Sequence, residues 1–127
     1  MANQKKKFYI TTPIYYSNQP PHVGSAYTTI AADTLARYHR IKEEDVFFLT
    51  GVDEHGSKVA QAAKEARKSP QEFCDEISAK FQKTWKTLNI SNNSFIRTTN
   101  PGHKKVVQKV LQKLFDDGFI YKGKYEG

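Results

Sequence analysis

Between His22 and Ile41 the apolar residues Val23, Tyr27, Ile30, the Thr34-Leu35 pair, Tyr38 and Ile41 recur at three- and four-residue steps, the period of a helix with one face turned to a core. Pro20 and Pro21 stand just before it, where a missing N–H costs nothing and φ already suits a first helical turn. Upstream, Phe8 to Thr12 reads as a strand ended by Pro13, since proline donates nothing to a sheet ladder. Downstream, Asp45 to Gly51, DVFFLTG, is a short bulky run bounded by charge and glycine, as in a strand covered on both faces. Parallel strands joined by a helical crossover would begin an α/β, doubly wound sheet, in which ligands bind beyond the carboxyl ends of the strands. The loops 13–22 and 51–56 both follow such ends and should converge on one edge.

A further helix rich in Ala and Lys is expected from Gly56 to Arg67. Ser69-Pro70-Gln71-Glu72 is a capping box with proline at the first helical position, opening a helix that runs to about Thr87. Its apolar positions Phe73, Ile77, Phe81, Trp85 and Leu88 keep helical spacing and read as core. Asn100-Pro101 opens another helix, with Val106, Val107, Val110, Leu111, Leu114 and Phe115 expected inward and Gly118 as its stop. Phe119 to Tyr125 reads as a final strand. No internal repeat or flexible linker interrupts the chain.

With 127 residues the chain can build one core. Its longest apolar run, around Val46 to Leu49, is far short of the roughly 20 residues that cross a bilayer, and MANQKKK leads into a strand rather than an export signal. One cysteine, Cys74, cannot form a disulfide framework and fits a reducing cytoplasm, where it serves as a small packing residue. The net charge of +7 is uneven: from Lys80 to Lys124 ten Lys or Arg face only Asp116 and Asp117. Such a surface attracts polyanions, but lysines 105, 109 and 113 equally describe a solvated helix face.

Chemistry concentrates in two places. His22-Val23-Gly24-Ser25 sits at the mouth of the first helix, where unpaired backbone N–H groups and the positive end of the helix dipole favour an anion such as a nucleotide phosphate. There the imidazole can point at a phosphate, Gly24 lets a base or ribose lie against the backbone, and Ser25 offers a hydroxyl; alternatively, His22 and Ser25 only cap the helix. Asp53-Glu54-His55-Gly56 faces the same crevice, and Asp53 can hold a substrate ammonium, while Asp53 or Glu54 can equally cap the next helix. Of Tyr15 and Tyr16, one can wall a small pocket and the other be core. His22, Asp53, Glu54 and His55 match no metal motif such as His-Glu-x-x-His, so no metal is assigned; His39 and His103 read as surface positions.

At these residues the chain resembles the class I aminoacyl-tRNA synthetases, and within them the methionyl-tRNA synthetase branch. His22-Val23-Gly24-Ser25 looks like the family's HIGH signature, and TTPIYYSNQPPHVGSAYTTIAADTLARY, DVFFLTG, GVDEHGSK and FIRTTNPGHKKVVQKV resemble the methionyl branch in order and spacing from Phe8 to Gly127. Ser57-Lys58 stands where leucyl, isoleucyl and valyl relatives carry Leu-Pro. The resemblance implies a Rossmann-like, HUP-type nucleotide-binding fold and ATP-dependent activation of methionine to methionyl-adenylate, followed by transfer to tRNA(Met). It further implies that His22 and Ser25 are catalytic, that Asn18, His22, Gly24 and Ser25 contact ATP, supplied with Mg2+, and that Ile14, Tyr16 and Asp53 contact methionine.

Against the family's pattern, Ser25 replaces the last signature histidine, and residues 1–127 contain no KMSKS-like loop, zinc-binding cysteine pairs or anticodon-binding helices. The expectation is a basic tail over residues 1–7 and, over 8–127, the first half of a synthetase catalytic domain, truncated near the connective insertion. Such a piece would have little or no activity alone and would be prone to self-association. Zinc would be possible in the full-length protein, without ligands here. Two other readings stay open: a small nucleotidyltransferase with a His-x-Gly-His element, or a non-catalytic basic RNA-binding module.

Overall fold

The computed structural model describes residues 5–124. Three parallel strands and four helices follow one another as β1 (Lys7–Tyr16), α1 (Val23–Ile41), β2 (Asp45–Asp53), α2 (Ser57–Glu65), α3 (Pro70–Thr87), β3 (Ser94–Arg97) and α4 (Pro101–Asp116). The sheet order is β1-β2-β3, so β2 pairs on both sides. The expected strand–helix–strand unit is present and parallel.

β1 is longer than expected. It passes through Pro13 by slipping register between Thr11 and Ile14, then resumes pairing as far as Tyr16 opposite Asp53. Proline's missing donor is absorbed by that irregularity on an edge strand instead of ending the strand. β2 is not covered on both faces: Val46, Phe48 and Val52 are buried, whereas Phe47 is exposed and stacks across the open face on Tyr9, with ring centroids 5.9 Å apart. β3 was not anticipated. Four residues carry too little periodicity to announce a strand; Asn93 secures its entry by giving its backbone N–H to Phe48 O and accepting Phe48 N–H on its side-chain oxygen, both at 2.8 Å.

α1 inverts the expected packing. Val23, Tyr27, Ile30, Leu35, Tyr38 and Ile41 face outward, and the buried residues are Ser25, Thr29, Ala32, Asp33 and Ala36. Small side chains let the helix axis sit close to β1 and β2, with Ala32 and Ala36 against Val46 and Phe48. α4 departs too: none of its residues is buried, so Val106, Val107, Val110, Leu111, Leu114 and Phe115 form an exposed apolar face. Residues 119–124, expected as strand, have no regular structure, and Tyr125 lies outside the described residues.

α3 behaves as read. The Ser69/Glu72 capping box is made in both directions, and Ile77, Phe81 and Trp85 join Val52 in a second core cluster beneath the carboxyl end of β2. Tyr15 belongs there as well, its ring 5.6 Å from Phe81 and its hydroxyl 2.8 Å from the Thr29 hydroxyl. Cys74 is buried beside this cluster; burial foremost, then the Glu54 charge, pushes its thiol up. His39, expected at the surface, is half-buried: it stacks on Phe8 and its Nδ1 lies 2.6 Å from Glu44.

Asp33 joins α1 to the turn before β3. Its Oδ1 accepts from the Ser91 backbone and hydroxyl at 2.7 and 2.5 Å, and its Oδ2 accepts from Arg37 at 2.6 Å. Burial raises its pKa, but these bonds together outweigh it and hold the carboxyl below the usual range. A depressed folded pKa adds stability above the ordinary value of about 3.9, and that stability is lost as pH falls through the folded value. Asp33→Asn should therefore flatten the acid limb of the stability curve below about pH 4, as read by denaturation midpoints. Gly51→Ala should cost about 3 kcal/mol or more, because a Cβ there would meet the Ile96 carbonyl oxygen at 2.2 Å; urea unfolding and faster amide exchange in β3 would report it.

Candidate functional site

Both loops that follow strand carboxyl ends open onto one side of the sheet, because β1 and β2 run parallel and end in register at Tyr16 and Asp53. Ser17 N–H continues the ladder to Asp53 O at 2.9 Å and fixes the first loop against the second strand. Two adjoining cavities result, each of about 350 Å³. Ile14, Tyr16, Asn18, His22 and Ser25 line one, and Asp53, His55, Gly56 and Ser57 the other. Tyr16 and Lys58 line both.

His22 is the N-cap of α1. Its Nδ1 accepts the Gly24 N–H at 3.1 Å, which leaves Nε2 as the ring's donor. Ser25 closes the other half of the capping box: His22 N–H donates to Ser25 Oγ at 2.9 Å, and the Ser25 hydroxyl donates to His22 O at 2.7 Å. Ser25 is only 3% exposed, and both of its hydrogen-bonding roles go to the backbone. The first turn of α1 holds no acid, so its positive end is uncompensated. Gly24 is set by the ring: a Cβ there would lie 2.9 Å from His22 Cε1 and 3.1 Å from Nδ1.

Asp53 does not cap α2. The N-cap of that helix is Gly56, whose φ of +110° suits glycine, and no side chain caps it. Asp53 Oδ1 instead accepts the His55 N–H at 3.2 Å and the Thr98 hydroxyl at 3.4 Å. Glu54 turns the other way into the interior, where Arg97 Nε donates to its Oε1 at 2.8 Å and the Thr99 hydroxyl to its Oε2. The Tyr pair divides as the alternation of a strand requires: Tyr15 packs on the core cluster and, with Phe81, reaches only the inner side of the first cavity, whereas Tyr16, 59% exposed, walls both cavities. The structure thus gathers Ile14, Tyr16, Asn18, His22, Ser25 and Asp53 around adjoining spaces; Gly24 acts through the histidine beside it.

Lys58 escaped the sequence reading as a site residue. It follows the Asp53–Gly56 element on the first turn of α2, and that position was its signal. His103 is half-buried and lines a separate small cavity with His55, Thr98 and Lys104. Among the described residues no three His, Cys, Asp or Glu side chains come together to hold a metal, and no helix is long and apolar enough to cross a membrane. Chemically, the crevice offers an imidazole N–H donor and a helix N-terminus for an anion, a carboxylate for a cation, and one lysine between them.

The family model "tRNA synthetases class I (M)" matches residues 8–127. The methionine–tRNA ligase of Thermotoga maritima is 61% identical over 121 residues, covering 95% of this chain and 19% of that protein. A solved structure of the Mycobacterium tuberculosis methionyl-tRNA synthetase in complex with methionyl-adenylate superposes with a TM-score of 0.87 at 44% identity, over 89% of this chain and 22% of that one. A ternary complex of an Agrobacterium radiobacter LeuRS with tRNA and LeuAMS superposes equally well, at 0.87, with 24% identity over 94% of this chain and 16% of that one, which shows the shared fold. The chain spans about a fifth of the length of the curated relatives it matches. These likenesses decide against the small nucleotidyltransferase and the RNA-binding module.

Gly24→Ala should displace the His22 ring, remove the N-cap and cost about 1 kcal/mol. Histidine ring resonances in two-dimensional NMR, with a urea midpoint alongside, would measure both.

Proposed function

The chain belongs to the class I tRNA synthetases of the M type, and from that premise we propose that it forms the N-terminal part of a methionine–tRNA ligase catalytic domain, with ATP and methionine as its substrates. The observation that carries this reading is the pair of adjoining cavities, with His22 beside one, Asp53 beside the other, and Lys58 and Tyr16 common to both. ATP lies with its phosphates at the start of α1, near Asn18, where His22 Nε2–H and the first-turn backbone stabilise charge on the α-phosphorus as it becomes pentacovalent. Methionine lies between Ile14 and Tyr16 with its ammonium on Asp53.

In the reaction a methionine carboxylate oxygen attacks the α-phosphorus of ATP. The P–O bond to the β-phosphate breaks, and pyrophosphate leaves with the electron pair. No side-chain nucleophile is needed. A ribose hydroxyl of the 3′-terminal nucleotide of tRNA(Met) then attacks the carbonyl carbon of methionyl-adenylate, giving its proton to solvent, and the bond to the phosphate oxygen breaks as AMP leaves with the electron pair. Mg2+ accompanies ATP as part of the substrate. Ser25 contributes by closing the capping box that fixes His22, a role a hydroxyl can fill without charge. Lys58 adds a cation suited to the methionine carboxylate or a phosphate. A buried lone thiol and the lack of a membrane-crossing helix among the described residues accord with a cytoplasmic enzyme.

The test is methionine-dependent ATP–pyrophosphate exchange by a chimaera in which these residues replace the matching N-terminal fifth of the Thermotoga maritima relative. His22→Ala should lower the exchange rate by about 10²- to 10³-fold. Exchange that ignores methionine, or that survives the substitution at full rate, would overturn the assignment. Residues 1–127 alone, which lack a KMSKS-like loop, should show little or no exchange; a full rate from them would sink that part of the reading.

A further inference from the structure

Residues 97–99 hold the end of β2 and the turn after it through hydrogen bonds to Val52, Asp53, Glu54 and His55. Thr98 N–H reaches Val52 O at 3.4 Å. The Thr98 hydroxyl accepts the Glu54 N–H at 2.9 Å and donates to Asp53 Oδ1 at 3.4 Å. The Thr98 carbonyl accepts from His55 Nε2 at 3.2 Å. On either side, Arg97 and Thr99 take the two carboxylate oxygens of Glu54, whose side chain is fully buried, and Arg97 continues to Asp75 of α3 at 2.5 Å. Thr98 itself is only 6% exposed.

The hydroxyl has one proton, and the Glu54 N–H occupies an acceptor site on its oxygen. That proton is therefore free to go to Asp53 Oδ1, which also receives the His55 N–H. Both donors act on the same oxygen. Oδ2 has no hydrogen-bond partner among the described residues and is left for an incoming cation. A carboxylate at a strand end would otherwise rotate freely and lose that freedom on binding; one held by a buried hydroxyl has lost it beforehand.

We propose that Thr98 is a positioning residue that orients Asp53 for the substrate ammonium, with the Arg97–Glu54–Thr99 cluster holding Thr98 and the turn in place. This rests on the reading of Asp53 as the methionine ammonium site. Thr98→Val keeps the shape and removes the donor, while Thr98→Ser keeps the hydroxyl.

Amide NMR on the same chimaera, titrated with L-methionine and with 4-(methylthio)butanoate, which lacks the amine, separates positioning from mere folding. Thr98→Val should weaken methionine by about tenfold and leave the amine-free analogue unchanged, with Thr98→Ser close to wild type. In the wild type the Glu54 and His55 amides should move with methionine and stay still with the analogue, a result that needs no variant to fold. Equal weakening of both ligands in Thr98→Val, unchanged methionine affinity in it while Asp53→Asn weakens binding, or Glu54 and His55 amides that ignore methionine would each overturn the proposal and leave the ammonium reading standing. An Asp53→Asn variant that binds methionine like wild type, or a wild type that does not bind it, would overturn that reading and the positioning role with it.

Discussion

The parallel pairing of β1 with β2 fixes everything that matters at the site. Parallel strands must be joined by a crossover, and a helix supplies it; both carboxyl ends then fall on one side, and both following loops open together. The register Tyr16 opposite Asp53 brings His22 and Asp53, more than thirty residues apart in sequence, to the walls of adjoining cavities. A slip of one residue would turn Tyr16 into the core and pull Tyr15 out of it, because alternate strand residues face opposite ways. The Tyr15 stack on Phe81 and its hydroxyl bond to Thr29 oppose that slip, so the aromatic core sets the register on which the site depends.

The order of strands and helices through α4 was legible apart from β3, and so was the convergence of the two loops. Helix starts read well because caps are local: Ser69 with Glu72, and Asn100 before Pro101, announce themselves within four residues. Facing was less legible. On α1 the bulky stripe suggested the core side, yet contact with a sheet favours small residues, and Ala32 and Ala36 do the packing while Tyr27 and Tyr38 stay outside. Periodicity shows that a helix has two unlike faces; which of them a sheet selects depends on how near the axis must come. α4 carries the same lesson further, since an apolar stripe shows a face able to pack and leaves its partner unspecified.

Of the site, sequence order indicated His22 and Ser25 because they open the first helix, and Asp53 because it stands at the end of a strand. It could not indicate their division of labour. Ser25 looks like a reactive hydroxyl in a string of letters, and only its two bonds to the His22 backbone show that it builds the helix start. Thr98 had no signal at all: it lies 45 residues from Asp53 along the chain and meets it through the pairing of β3 with β2.

That pairing ties core packing to site geometry. β3 lies so close to β2 at Gly51 that no side chain fits between them, which brings Ile96 against the β2 backbone and, one residue on, Arg97 into register with Val52. From there the chain runs directly into Thr98 and Thr99. The absence of a Cβ at Gly51 thus acts across the sheet on the loop that holds Asp53, through backbone alone. A carboxylate on a surface loop would be free to turn; this one is tied through Thr98 to the strand pair β2–β3. Orientation at the cation side of the crevice is accordingly set by packing beneath it, whereas at the anion side it is set within four residues, by the capping box of α1.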